Sequence, residues 1–175
     1  MKKIVVVLGL LLCSLGVFAQ KFGFIDTDYI LKHVPEYNNA QKQLDGLSEQ
    51  WQKEVDAKFK ELDRLYKAYQ KDQVLLSAEM KRRREQEIVD HEKAAKDFQR
   101  QRFGPEGDLF KRRGALVKPV QDRVYKAIQD VADDGLYAVI FDKAGAPTML
   151  YSSPRYDKSN DVILKLGLKP GVFAR

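Results

Sequence analysis

The stretch that decides the fold runs from Glu36 to Lys118: EYNNAQKQLDGLSEQWQKEVDAKFKELDRLYKAYQKDQVLLSAEMKRRREQEIVDHEKAAKDFQRQRFGPEGDLFKRRGALVK. It is built almost entirely of helix formers and charges, and Pro35 and Pro119 bracket it. Its first half places apolar residues at Leu44, Leu47, Trp51, Val55, Phe59, Leu62, Tyr66 and Tyr69, one to each helical turn. Leu44, Val55 and Tyr66 are eleven residues apart, nearer a hendecad than a heptad, which predicts a straight or slightly right-handed seam. The other faces carry Lys, Glu, Asp and Gln. A helix this polar needs a partner along its seam.

The second half supplies that partner. The apolar period is lost between Asp72 and Ala78, and Ser77 with Glu79 after it reads as a helix start. The returning helix carries Met80, Ile88, His91, Ala95, Phe98 and Phe103. Pro35 to Ser77 and Ser77 to Pro119 are equal in length, so residues 36–118 are expected to form a long antiparallel helical hairpin with its turn at 72–78. At about 1.5 Å per residue each leg is about 60 Å long. A register symmetric about Ser77 sets Trp51 against Phe103, Phe59 against Ala95, Tyr66 against Ile88, Leu44 against Phe110 and Ala40 against Gly114. Gly104, Pro105 and Gly107 interrupt the returning helix opposite Gly46. Breakers on both legs at one level predict a hinge there.

Outward from the hairpin, residues 20–35 read as a strand from Lys21 to Asp26 and a short helix capped by Asp26 or Thr27 and ended by Pro35. Residues 119–175 read as a renewed helix beginning at Pro119 and ended by Gly135, a β-hairpin of Leu136–Phe141 with Thr148–Ser152, and a last helix capped by Ser159 or Asn160. Strands at Phe22–Asp26 and Thr148–Ser152 would leave exposed edges in a monomer, which argues for an oligomer. The expected class is α+β, with the hairpin inserted into a small β body.

Residues 1–19 have the pattern of a signal peptide: Lys2 and Lys3, an apolar run from Ile4 to Leu12, and Val17-Phe18-Ala19 before a cleavage point at Gln20. Cys13 is the only cysteine and leaves with that segment, so disulfide and thiol chemistry are excluded from the mature chain. The formal charge is +6. Export argues against nucleic acid as the partner and towards anionic lipid, lipopolysaccharide or acidic polypeptide. Lys81, Arg82, Arg83 and Arg84 form a basic patch beside the turn, with Lys81–Glu85 and Arg83–Glu87 as its expected helix pairs. Trp51, Phe59, Tyr66, Tyr69 and Phe98 are candidates to contact apolar segments of a client, besides forming the seam. His33 and His91 read as solvated helix histidines outside any metal-ligand spacing. Asp26 and Asp28 are better suited to capping than to acid–base work. No nucleophile elbow or phosphate-binding glycine loop occurs, so no enzyme activity, metal or cofactor is expected.

The chain resembles the Skp/OmpH family of periplasmic chaperones. The residues that carry the resemblance are FGFIDTDYIL with Pro35-Glu36, the charged hairpin, LVKPVQDRVYKAIQDVA, GLYAVIFDK and LYSSPRYDKSNDVILKLG. Asp157-Lys158-Ser159 stands where the family often has Asp-Ile-Thr. The resemblance implies a homotrimer in which strands of three copies complete a small β-barrel and three hairpins project as tentacles around a cavity. It implies an ATP-independent holdase for unfolded outer-membrane proteins. A structural coiled-coil adaptor or spacer of the cell envelope is the alternative function.

Overall fold

The computed structural model describes residues 20–145 and 149–174; the segment read as a signal peptide lies outside them. The elements are β1 (Lys21–Ile25), α1 (Thr27–Lys32), α2 (Pro35–Asp72), α3 (Ala78–Phe103), α4 (Asp108–Gly135), β2 (Tyr137–Asp142), a 3-10 turn at Pro154–Tyr156 and α5 (Ser159–Lys165). The protein is mostly helical with a two-stranded sheet, an α+β chain. It divides into two compact units. One comprises the residues up to His33 with Val124–Val172, the other Val34–Arg123 with the residues from Phe173 on. Helix α4 contributes to both.

In the first unit β1 pairs in parallel with β2, in the register Phe22 with Val139 and Phe24 with Phe141. Alternation along β1 turns Gly23 and Ile25 inward, while Phe22 and Phe24 stack on Phe141 on the other face. Asp26 caps α1, its Oδ1 accepting from Tyr29 N at 2.9 Å. Ile25, Ile30 and Leu31 are buried, as are Val124, Ala127 and Val131 of α4 and Val162 and Ile163 of α5.

The expected β-hairpin does not form: Met149–Ser152 is irregular, and Thr148 lies outside the described residues. The parallel ladder extends one bond past β2, with Lys143 N donating to Ile25 O at 2.8 Å. Asp142 accepts from Thr27 N at 3.1 Å and Ala144 N at 3.0 Å. The free edge of β1 is met by a later segment, through Lys158 N to Phe24 O at 2.7 Å and a bridge between Phe24 and Asp157. Strand β1 is thus flanked on both sides, not left as the open edge its sequence suggests. Leu150 and Tyr151 stay 95% and 82% exposed.

Ser159 is not the cap of α5 but its first residue, and it is buried. Its hydroxyl donates to Asp157 Oδ1 at 2.6 Å and accepts from Asp26 N at 2.9 Å. Asp157 also accepts from Lys143 Nζ at 2.6 Å. Burial pushes the Asp157 carboxyl up, but the Lys143 ammonium and the Ser159 hydroxyl and amide more than offset it and hold it below its usual range.

His33 is also buried rather than solvated, only 1% exposed. Its Nδ1 lies 2.8 Å from Tyr29 O and its Nε2 3.0 Å from Gly171 N. A carbonyl only accepts and an amide N–H only donates, so Nδ1 carries the proton and Nε2 is the acceptor. These two backbone contacts assign the neutral ring.

In the second unit, Pro35 is itself the first residue of α2, where its missing N–H costs nothing. Helix α2 continues for 38 residues without a break, through Gly46. Ser77 caps α3, its Oγ accepting from Met80 N at 3.3 Å. Helices α2 and α3 run side by side in opposite senses: the Trp51 and Phe103 rings meet edge to face at 6.5 Å, Lys58 lies over Phe98, and the Tyr69 hydroxyl donates to Glu85. The solvent faces carry i,i+3 and i,i+4 ion pairs such as Lys53–Glu49, Lys67–Asp63 and Lys96–Glu92. Solvent screens these exposed pairs, so each adds little to its helix.

The equal-leg register holds for Trp51 with Phe103 and slips past it. Leu44 clusters with Ala40 and Val117, while Phe110 is exposed. Glu36 pairs with Arg123, about one turn beyond the Lys118 that the symmetric register places opposite it. Residues Gly104–Gly107 leave the helix between α3 and α4 and change its phase. Past them, α4 continues through Pro119 instead of starting there. Pro119 and Ala115 are both exposed, so the carbonyl that loses its partner is left to water. Val117, Val120 and Val124 remain buried along the helix.

Arg123 grips Glu36 with both terminal guanidinium nitrogens, at 2.8 and 2.9 Å. Those hydrogen bonds hold the Glu36 carboxyl at about 2, against an ordinary 4.5. A carboxylate depressed on folding contributes stability above its unfolded value and loses it as pH falls towards the folded one. Both side chains are about half exposed, which limits the pair to about 1 kcal/mol or less. Arg123→Gln is therefore expected to lower the urea midpoint slightly at neutral pH. The gap from wild type should close as the pH approaches 2; a gap independent of pH would contradict the ion pair.

Gly46 is exposed, and a Cβ built on it meets nothing within 4 Å. Gly46→Ala is thus expected to stabilise the protein by about 0.5–1 kcal/mol. A loss of stability on thermal or urea unfolding would show that the glycine is structurally required.

Candidate functional site: the aromatic knot and cation faces of the helix pair

The interruption at Gly104–Gly107 is a tight turn closed by Gly107 N donating to Gly104 O at 2.9 Å. Pro105 takes its second position and Glu106 its third, with φ at 57°. That is a type II turn carrying glutamate where glycine or asparagine is favoured. A Cβ on Gly104 would come within 2.4 Å of Arg100 O, and one on Gly107 within 2.8 Å of Gln101 O. Both glycines are needed because the backbone doubles back on the last turn of α3.

Arg102, in that last turn, spans the interruption. Its Nη1 lies 2.5 Å from Asp108 Oδ2 in the first turn of α4. Its guanidinium carbon sits 4.8 Å from the Trp51 ring centroid and 5.0 Å from that of Phe98. Lys58 Nζ lies 4.9 Å from the Phe98 centroid. Trp51, Phe98 and Phe103 with Lys58, Arg102 and Asp108 make one cation–aromatic knot, of the kind worth about 1–2 kcal/mol per contact when partly desolvated. Arg102 Nε is buried there without a hydrogen-bond partner.

The five aromatic residues singled out from sequence do not form one exposed surface. Trp51 is buried, Phe59 and Phe98 are half-buried, and Phe98 is met by both Lys58 and Arg102. The Tyr69 hydroxyl is committed to Glu85, which raises the phenol pKa above its usual value. Tyr66 alone of the five is exposed, at 50%. Of the breakers, Gly104, Pro105 and Gly107 form the interruption; Gly46 does not break its helix.

In the basic patch, Arg82, Arg83 and Arg84 are exposed and Lys81 is half-buried. The ion pairs differ from the expected ones. Arg83 turns back to Glu79 at 2.9 Å and Arg84 reaches Glu87 at 2.8 Å, while Glu85 accepts from the Tyr69 hydroxyl instead of pairing with Lys81. Lys81 and Arg82 make no ion pair among the described residues. The adjoining turn exposes Val74 and Leu75 at 82% and 85%.

Sequence reasoning missed Arg102, Lys58 and Asp108, as well as a second run of cations at Lys111, Arg112 and Arg113 beside exposed Phe110. The i,i+4 spacing of Phe98 and Arg102 was a readable signal. Among the described residues no group of three or more His, Cys, Asp or Glu side chains is placed to hold a metal, and no helix is long and apolar enough to cross a membrane.

No curated protein matches the chain. Among solved structures, it resembles one from Caulobacter crescentus CB15 that carries an OmpH-like outer membrane chaperone assignment. The TM-score is 0.65 at 14% identity, over 91% of this chain and 92% of that one, which establishes a shared fold. The family described as outer membrane protein (OmpH-like) matches residues 21–166, so the chain belongs to the OmpH-like outer membrane protein family.

Proposed function

We propose that this protein is an ATP-independent holdase that keeps unfolded outer-membrane proteins soluble in the periplasm, after removal of residues 1–19. The observation that carries this reading is the surface of the α2–α3 pair. It offers solvated ion pairs, Lys81 and Arg82 without an ion pair among the described residues, and single exposed groups such as Tyr66, Val74 and Leu75. Such a surface provides many weak contacts, which add by multivalency and release by competition without nucleotide. Three copies, joined through their β elements, would surround the client with three such pairs. The mechanism needs no enzymatic step.

The direct test dilutes a urea-unfolded outer-membrane barrel protein into buffer with purified mature chain and no ATP. Light scattering should fall as chaperone is added in excess. Unchanged aggregation would sink the holdase reading. A monomer at micromolar concentration would sink the trimer.

The basic patch makes a separate contact with anionic lipid or lipopolysaccharide. Lys81→Gln with Arg82→Gln is expected to weaken binding to anionic vesicles by about tenfold or more, given about 1 kcal/mol for each cation near the surface. Unchanged binding would reduce the patch to a solvated helix face.

The joint at Gly104–Gly107 lets the helix pair adapt to client size once the Arg102–Asp108 contact opens. A cross-link across the turn should then impair capture of large clients more than small ones; equal capture would refute it. The adaptor reading has one observation in its favour. The Trp51 and Phe98 rings are already met by Arg102 and Lys58, and an arm with filled rings suits a spacer for one folded partner. Retained binding of a single folded envelope protein with no holdase activity would select it.

A further inference from the structure

Cleavage after Ala19 would leave Gln20 as the first residue, and β1 begins at Lys21. Only one residue would then separate the new terminus from the strand that holds the first unit together. β1 pairs with β2 along its length and meets Asp157 and Lys158 on its other edge. Removal of even two or three residues by an aminopeptidase would take ladder positions that no other segment supplies.

Gln20 is exposed, and its side chain makes no hydrogen bond among the described residues. It lies at a hollow of about 550 Å³ lined by Phe22, Phe24, Tyr137 and Tyr156, with Lys21 and Arg155 at the same site. A free α-ammonium here would add a third positive charge to two existing ones, beside aromatic rings.

We propose that Gln20 is a modification site, and that the mature chain carries it as a pyroglutamyl lactam. The deprotonated α-amine attacks the Cδ of its own side-chain carboxamide. The new N–Cδ bond closes a five-membered ring, the Cδ–Nε2 bond breaks, and ammonia departs with the proton lost by the amine. No oxidant, reductant or second substrate is consumed. Neighbouring cations favour the neutral amine that this attack requires. The product has lost a charge beside Lys21 and Arg155, whose guanidinium already lies over the Tyr156 ring, and gives aminopeptidases no amine to bind. It guards β1 from the end at which β1 is most accessible.

This inference rests on the export reading, and its test separates the two. The full chain is exported in a bacterial host, purified from the envelope fraction, and analysed by intact mass and N-terminal sequencing. The expected result is a chain beginning at Gln20, lighter by one ammonia and blocked to Edman degradation. A free amine on Gln20, or a different first residue, overturns the proposal. Suppression of aggregation measured on the same preparation reports on the holdase reading independently. In a second arm, a Gln20→Ala variant with wild-type circular dichroism is challenged with an aminopeptidase. It should lose N-terminal residues at least about tenfold faster than wild type; equal rates would overturn the protective role.

Discussion

Trp51→Ala is expected to cost about 3–5 kcal/mol of unfolding free energy. The side chain is only 8% exposed and packs against the edge of Phe103. It also forms one face of the pocket that holds the Arg102 guanidinium. Removing the indole therefore leaves a cavity between α2 and α3 and takes away the ring that offsets the burial of Arg102. Urea unfolding followed by circular dichroism is the suitable measurement, because Trp51 is the only tryptophan and fluorescence would vanish with it. A double-mutant cycle with Arg102→Ala should show coupling of about 0.5–1 kcal/mol or more. Strict additivity would mean that the cation and the ring do not interact. A midpoint unchanged by Trp51→Ala would mean that the two helices do not pack as described.

Gly104→Ala is expected to destabilise by about 2–3 kcal/mol, opposite in sign to Gly46→Ala. At Gly104 a Cβ would stand 2.4 Å from the Arg100 carbonyl oxygen, a backbone atom that cannot swing aside. Relief would require the turn to open, and the turn positions Arg102 to reach Asp108. The loss should therefore appear together with weaker coupling between Trp51 and Arg102. At Gly46 the same methyl group meets open space. If both substitutions stabilise, the turn is not as tight as its contacts indicate. If both destabilise, Gly46 has a role that the unbroken helix α2 does not reveal.

The contrast between these glycines shows how much of the site was readable in advance. Both are helix breakers by intrinsic propensity, and a residue's own preference cannot tell which one a helix tolerates. Gly46 sits in a long helix held on both sides by the seam residues Leu44 and Trp51, both buried, so its cost is absorbed. At Gly104 the backbone doubles back on the last turn of α3, closer to Arg100 O than a side chain allows, and there the helix does end. The basic patch was legible as composition, whereas the expected Lys81–Glu85 pair gives way to the Tyr69 hydroxyl reaching Glu85 across the helix pair. The candidate client-binding aromatics were legible as seam residues. That Arg102 and Lys58 cover the Phe98 ring followed from how α2 and α3 pack, which places a cation of each helix over one ring.

By itself the sequence determined the long polar helices, their apolar seam, the start of α3 at Ser77, the cap at Asp26, the strand at β1 and the family resemblance. All of these depend on neighbours within a few positions, where helical period, capping chemistry and backbone preference act. The tertiary structure alone decided the parallel pairing of β1 with β2, the irregular path of Met149–Ser152, the burial of His33, the tie of Ser159 to Asp26 and the cations that fill the aromatic knot. Each of these is a competition between partners far apart in the chain. Its winner depends on which edge, carbonyl or ring is still free once the helices have packed, and β-propensity or charge at one position carries no information about that.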